Sequence, residues 1–173
     1  MKSAYYLMGA ALAALLAGCA STPIVLAPVG PNPYGGENIA STGGLQVFSR
    51  VSEQSDDQNQ GGDGDPVWYQ HTDYRIYTLE GKLVKRVDNT VGHYAEAPRL
   101  VALPAGRYLV KAQARDYSWV ELPVTIERGR TTRVHLDDDW KLPTDTPKQK
   151  LVSMPNGRPV GWRDPAVKGS ANN

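Results

Sequence analysis

The chain has 173 residues, with 19 basic and 18 acidic side chains and a formal net charge of +1. So balanced a charge gives no electrostatic basis for binding nucleic acid, and that class of partner is excluded from the predictions. A single cysteine excludes an intramolecular disulfide, so the fold must depend on its hydrophobic core.

Residues 1–18 predict the signal peptide of an exported protein. Lys2 supplies the positive charge at the start, and an apolar run from Ala4 to Ala17 follows it. The run is shorter than the roughly 18 apolar residues that indicate a membrane-spanning helix. It ends at Gly18-Cys19, so the only cysteine of the chain lies directly after the apolar run.

The tetrapeptide Leu16-Ala17-Gly18-Cys19 resembles the lipobox of bacterial lipoproteins. The resemblance implies that a diacylglycerol is attached to the Cys19 thiol, that the chain is cut between Gly18 and Cys19, and that the new amino group is acylated. Two or more acyl chains hold a protein firmly, whereas one gives only marginal membrane binding. The alternative is a buried structural thiol beside an ordinary or uncleaved signal.

Ala20 and Ser21 follow the cysteine. In Gram-negative lipoproteins an Asp directly after the cysteine tends to retain the protein in the inner membrane. If the source is Gram-negative, the resemblance therefore implies a lipid-anchored protein of the cell outer membrane, facing the periplasm or the cell surface.

Two polar segments are predicted to lack regular structure. Residues 19–44 are rich in Pro, Gly, Ser and Thr and predict a flexible linker that holds the domain clear of the lipid. Residues 52–66 predict a long disordered loop. Its acids suggest calcium, but an EF-hand loop counted from Asp57 would place Trp68 where a Glu is required, so a solvated loop is preferred.

Residues 45–137 carry the folded domain. Short segments alternate apolar and polar residues, and a turn follows every 8–12 residues or so, which is typical of an antiparallel sandwich or barrel. The clearest strand covers residues 107–115, with Tyr108, Val110, Ala112 and Ala114 on one face. The next strand, 119–126, turns its even-numbered residues inward, and residues 131–136 close the domain.

The stretches Ile76-Tyr77-Thr78-Leu79-Glu80-Gly81-Lys82-Leu83-Val84 and Leu103-Pro104-Ala105-Gly106-Arg107-Tyr108-Leu109-Val110 resemble hairpin and turn segments of carboxypeptidase-regulatory-like, transthyretin-like domains. The resemblance continues through Arg115-Asp116-Tyr117 and a closing hairpin from Val124 to Leu136, and covers about sixty residues from Tyr74 to Leu136. It implies an all-β, antiparallel Greek-key sandwich of the Ig-like or transthyretin-like kind. It implies little about function, because such domains act as spacers, folding aids and binding modules.

Residues 138–173 are expected to form an irregular C-terminal tail, with a hairpin at 151–162 whose tip is Pro155-Asn156-Gly157. Trp140 and Trp162 are its candidate contact residues. They either pack the tail against the sandwich, which is preferred, or form an exposed site for sugar rings or a partner. The run of three acids at 137–139 is expected to be a solvated strand end, with cation binding or contact to a basic partner as alternatives.

No catalytic or metal-binding pattern is present in the sequence. His71, His93 and His135 lack the close spacing of zinc ligands and are expected to be scattered on the surface or in loops. There is no Gly-x-Ser-x-Gly motif and no phosphate-binding loop. We therefore expect no enzymatic activity, no cofactor and no metal, although a hydrolase whose residues converge only in three dimensions is a third alternative.

These observations predict a cell-envelope lipoprotein that acts as a structural or protein-interaction module, with another envelope protein as its partner. The alternative is a lipoprotein that binds glycan or peptidoglycan through Tyr and Trp. An exposed aromatic platform favours glycan, whereas a bare strand edge or a flat apolar patch favours protein.

Overall fold

The alternation of the sequence produces strands that bury every second side chain. The computed structural model describes residues 22–35, 41–54, 68–89 and 97–165. In the strand Gly106–Ala114, Val110, Ala112 and Ala114 are fully buried, while the residues between them lie on the outer face. The hydroxyl of Tyr108 donates a hydrogen bond of 3.0 Å to the carbonyl of Pro104, which ties the strand to the turn before it.

Within the described ranges the strands are β1 (Ile24–Val25), β2 (Val29–Gly30), β3 (Gly43–Phe48), β4 (Val51–Gln54), β5 (Trp68–His71), β6 (Tyr74–Tyr77), β7 (Leu83–Val87), β8 (Leu100–Leu103), β9 (Gly106–Ala114), β10 (Tyr117–Ile126), β11 (Thr131–His135), β12 (Leu151–Ser153) and β13 (Pro159–Arg163). A single 3₁₀ turn, Lys148–Lys150, precedes β12, and there is no α-helix in these ranges. No helix of the described chain is long and apolar enough to cross a membrane.

The strands form two main sheets that pack face to face. The large sheet has the order β12-β13-β2-β10-β9-β6-β7, and β1 pairs with β10 on the same side as β2. The small sheet has the order β11-β3-β8, and β4 and β5 form a separate two-stranded ribbon. The inner faces share one apolar core, which includes Leu45, Val47, Ile76, Val110, Leu122, Val124, Val134 and Leu136. The predicted all-β sandwich is therefore confirmed.

The sheets are mixed, whereas the sequence predicted antiparallel pairing. Strands β1 and β2 run parallel to β10, and β11 runs parallel to β3. All other pairs are antiparallel. The parallel pairs arise because strands distant in sequence fill positions beside β10 and β3, and alternation within a strand does not specify its neighbour.

The segment predicted as a flexible linker is corrected over residues 22–35 and 43–44. Its apolar residues Ile24, Leu26 and Val29 belong to the core or pack against it, and the amide of Leu26 donates to the carbonyl of Glu121 at 2.9 Å. The burial of these three side chains offsets the cost of ordering a proline-rich segment. Residues 19–21 and 36–40 lie outside the described residues.

Two further boundaries differ from the sequence prediction. The predicted loop at 52–66 begins as strand β4, whose backbone pairs with β5, and residues 55–67 lie outside the described part of the chain. The C-terminal segment is more ordered than expected, because the hairpin β12–β13 joins the large sheet through the pairing of β13 with β2. Gly157 at its tip has a φ of +85°, as a tight turn requires.

Candidate functional site

A stack of three rings lies on the outer face of the small sheet, where strands β3 and β11 end. Phe48 and His135 are cross-strand partners on β3 and β11, and their rings stack with centroids 4.3 Å apart. Trp140, just beyond β11, stacks on the other face of His135 at 4.6 Å with planes 7° apart. Alternation along the strands places Phe48 and His135 on the outer face, because the preceding residues Val47 and Val134 point into the core.

The stack continues at both ends through edge-to-face contacts. Trp162 on β13 meets Trp140 at 6.0 Å, and Tyr34 meets Trp162 at 5.5 Å. At the other end, His71 on β5 meets Phe48 at 5.9 Å. We call this set the aromatic row; its members are Tyr34, Trp162, Trp140, His135, Phe48 and His71.

The aromatic row shows what the two candidate tryptophans do. Trp162 is only 7% exposed, and Trp140 is half-buried with one face against His135. A sugar ring needs an open aromatic face; Trp162 is buried, and His135 covers one face of Trp140. The preferred expectation, that Trp140 and Trp162 pack the C-terminal segment against the sandwich, therefore agrees with the geometry.

Two buried titratable groups lie at the middle of the aromatic row: its member His135 and the neighbouring Asp137. Burial, followed by the positive charges of Arg133 and His71, lowers the pKa of His135 to about 4. Its Nδ1 lies 3.9 Å from Oδ1 of Asp137, a buried oxygen atom that has no hydrogen-bond partner among the described residues. Burial raises the pKa of the Asp137 carboxyl. The pair therefore tends toward its neutral forms, since neither charge is well solvated.

The histidines and the acidic run differ from their predicted positions. His71 and His135 lie on either side of Phe48, and Nδ1 of His71 is 2.7 Å from the carbonyl of Ser49. They are thus brought together rather than scattered, while His93 lies outside the described residues. Asp137 is buried, with 6% of its surface exposed, and is therefore not a solvated strand end.

The second acid of the run pairs with arginine. Oδ1 of Asp138 lies 3.4 Å from a guanidinium nitrogen of Arg158, and the same nitrogen lies 3.2 Å from Asp116. The Arg158 side chain is largely buried, so these contacts hold the tip of the β12–β13 hairpin against the β9–β10 turn. Among the described residues no cluster of three or more His, Cys, Asp or Glu side chains is arranged to hold a metal ion.

The outer face of the large sheet is open in contrast. A pocket of about 180 Å³, here called the Trp119 pocket, lies on this face. Trp119 is 39% exposed there. The pocket is lined by Pro23, Arg75, Lys111, Trp119, Val120 and Glu121.

Register explains why charged groups gather in this pocket. Glu121 of β10 is opposite both Val25 of β1 and Lys111 of β9, and Arg75 of β6 is opposite Lys111 on the other side. Arg86 of β7 is opposite Arg75. We call this line across the sheet the charged row. Lys111 and Glu121 form an ion pair of 2.6 Å and balance each other's charge. Arg75 and Arg86 therefore give the row a net positive charge.

Strand β7 forms one edge of the large sheet. Its first four residues are exposed, and among the described residues β7 pairs only with β6. The apolar side chains Leu79, Leu83 and Val84 are 47%, 41% and 43% exposed at this hairpin. Apolar side chains beside unpaired backbone groups are the combination that natural sheet edges usually avoid.

Sequence reasoning missed both open surfaces. Trp119 could have been found, since the inward positions of Val120 and Leu122 place Trp119 and Glu121 on the outer face. The exposure of Leu83 and Val84 had no signal, because a strand exposed on both faces shows no alternation. The predicted lipidation and cleavage residues, Cys19 and Gly18, lie outside the described residues.

Comparisons of the chain with protein-family models, with curated proteins and with solved structures return no match. The resemblances to the lipobox and to carboxypeptidase-regulatory-like domains therefore remain predictions.

Proposed function

We propose that the chain is a lipid-anchored protein of the cell envelope that binds another envelope protein and has no catalytic role. The observation that carries the protein-binding part is the edge of β7, which presents Leu79, Leu83 and Val84 beside backbone groups that no described strand pairs. An extended segment of a partner can add to such an edge, with main-chain hydrogen bonds giving affinity and side-chain contacts giving specificity.

The charges of the hairpin define the partner more closely. Lys82, Lys85 and Arg86 surround the apolar residues and are all exposed, whereas Glu80 is the one acid of the turn. A partner strand with apolar residues and carboxylates complements this edge. The glycan alternative has less support, because Trp140 and Trp162 use their ring surfaces within the aromatic row.

The anchoring part of the proposal depends on Cys19. Mass spectrometry of the mature chain is expected to find an N-terminal Cys19 carrying a diacylglycerol and an amide-linked fatty acid such as palmitate. Fractionation is expected to place the chain in the outer membrane if the source is Gram-negative. An unmodified thiol or a different N-terminus would remove the anchor.

The edge can be tested by photo-crosslinking in living cells with the full lipidated chain. A photoreactive amino acid replaces Val84 on the edge or Arg107, an exposed residue of the interior strand β9, as the control. We expect a discrete protein adduct from position 84 and none from position 107. Adducts that contain only glycan would favour the alternative.

Proline substitutions test whether the adduct depends on backbone pairing. Adjacent residues of a strand direct their N–H groups to opposite sides, so one of Val84→Pro and Lys85→Pro removes an outward N–H and the other disturbs the pairing with β6. With the photoreactive group at Leu83, the variant that keeps its thermal stability is expected to lose the adduct. An adduct that survives in this variant would show that the partner does not add a strand.

A further inference from the structure

The predicted anchor lies very close to the folded domain. Cys19 is four residues before Pro23, which lines the Trp119 pocket, and β1 begins at the next residue. At a maximum of about 3.5 Å per residue, Pro23 lies within about 14 Å of Cys19. The pairing of β1 with β10 thus removes most of the spacing that a flexible linker over 19–44 would have provided.

Chain direction shows which end of the sheet faces the anchor. Strand β1 runs parallel to β10, and β10 and β6 run in the same direction because both are antiparallel to β9. The chain therefore enters beside the end of the sheet where β6 begins, and the turn that carries Leu79 lies at the opposite end. The Trp119 pocket is on the entry side.

The dimensions of a bilayer bring this pocket within range of lipid headgroups. The headgroup region extends about 6 Å beyond the hydrocarbon that holds the acyl chains. The remaining distance to Pro23 is at most about 8 Å, which is close to the Debye length of about 8 Å at physiological ionic strength. Charges in the pocket are therefore only partly screened from the membrane surface.

We propose that the face formed by Pro23, Val25, Arg75, Lys111 and Trp119 lies against the anionic phospholipid headgroups of the membrane that holds Cys19. This inference rests on the proposed lipidation of Cys19. Arg75 supplies positive charge for headgroup phosphates, and its guanidinium matches a phosphate in shape, whereas the charge of Lys111 balances that of Glu121.

The two apolar members of this face suit the same surface. Trp119 has an amphipathic ring of the kind enriched at the level of the headgroups, and Val25 exposes 69% of its surface. Glu121 does not repel the membrane strongly, because its carboxylate is paired with Lys111. When this face lies against the bilayer, the turn that carries Leu79 points away from the membrane and remains accessible to a partner protein.

The test uses the full lipidated chain in vesicles of phosphatidylethanolamine and phosphatidylglycerol that contain headgroup-spin-labelled lipid. A thiol-reactive fluorophore is attached to Val25→Cys or, as the control, to Leu79→Cys, both exposed positions. Because Cys19 is the only natural cysteine, a lipidated chain takes one label and an unlipidated chain takes two. We expect one label, strong quenching at position 25 and little at position 79.

A charge reversal then tests the headgroup contact. Arg75→Glu is expected to reduce the quenching at position 25, since each cation near an anionic surface changes occupancy by about fivefold. Arg107→Glu is the matched control. Arg107 lies on the same outer face of the sheet but near the start of β9, at the end of the sheet away from Pro23. Equal loss in both variants would point to net charge alone and would overturn the proposal.

The outcomes separate this inference from the anchor on which it rests. Two labels per chain would overturn the anchor and the membrane contact together. One label with equal quenching at positions 25 and 79, or stronger quenching at 79, would overturn only the membrane contact. Quenching that is unchanged in vesicles of phosphatidylcholine alone would overturn the role of anionic headgroups.

Discussion

The outer faces of the two sheets differ in how far they are covered by other parts of the chain. The aromatic row covers the end of the small sheet where β3 and β11 finish, so that Trp162 and His135 are nearly inaccessible although they do not belong to the core between the sheets. The large sheet leaves Trp119, Arg75 and Val25 open to solvent. The number of aromatic residues therefore does not locate a binding surface. The ring faces that remain uncovered locate it.

The largest expected effect is on the covered face. Trp162→Ala should lower the free energy of unfolding by about 4 kcal/mol, because a buried indole is lost and a cavity remains beside Trp140. Urea denaturation measures this, with Trp162→Phe as a control that keeps an aromatic ring. A loss below about 1 kcal/mol would mean that the aromatic row is not structural and would reopen a glycan role.

Acid should weaken the same face. The pKa of His135 is about 4 in the folded chain and 6.5 for an ordinary histidine, so below pH 6.5 the unfolded chain binds a proton that the folded chain does not. The free energy of unfolding should therefore fall as the pH drops from 6.5 to 4, by about 3 kcal/mol. The raised pKa of Asp137 acts in the opposite direction, because the folded chain takes up that proton first.

Urea denaturation at several pH values between 7.5 and 4 measures this dependence, and His135→Phe is the control because it keeps a ring between Phe48 and Trp140. The variant should lose less stability over this window than the natural chain. Equal pH dependence in both proteins would show that His135 is not the group that resists protonation.

A smaller effect is expected where β13 brings Trp162 to the covered face. A β-carbon on Gly161 would lie 2.6 Å from a methyl group of Val29 and 3.1 Å from the carbonyl oxygen of Arg133. Gly161→Ala should therefore cost about 2 kcal/mol in the free energy of unfolding. Gly106→Ala is the control, since a β-carbon there has only ordinary contacts with Tyr108. Equal free energies of unfolding for the two variants would show that β13 does not approach β11 as closely as described.

The smallest effect on stability should come from the open face. Trp119→Ala should lower the free energy of unfolding by only about 1 kcal/mol, because the ring is partly exposed and its loss leaves no closed cavity. The same variant should reduce the quenching of a label at position 25 in vesicles. A loss of stability as large as that of Trp162→Ala would show that the two faces do not differ as described.

Alternation allowed the sequence to predict the sandwich, and it worked best where one face of a strand is buried and the other is not. The inward positions of β9, β10 and β11 were predicted correctly, down to Val134 and Leu136. Strands β1 and β2 were missed because each has two residues, too few to alternate, and lies among prolines. Their stability comes from pairing with β10, which only the tertiary fold provides.

The candidate site was less predictable for a related reason. Alternation correctly places His135 on the outer face of its strand, but burial of that face depends on Trp140, five residues later and outside any strand. The charged row likewise depends on the register of five different strands. A single sequence gives the side of a strand on which a residue lies, whereas coverage and cross-strand alignment are properties of the assembled sheets.

The position of β2 has a consequence for how the protein is made. This strand lies between β10 and β13, so Gly30 is paired with Trp162, which comes far later in the sequence. The pairing of β2 cannot be completed until β13 has been synthesised, and contacts so distant in sequence form slowly. A chain interrupted before residue 159 would leave one side of β2 unpaired, so the large sheet is among the last parts of the fold to be completed.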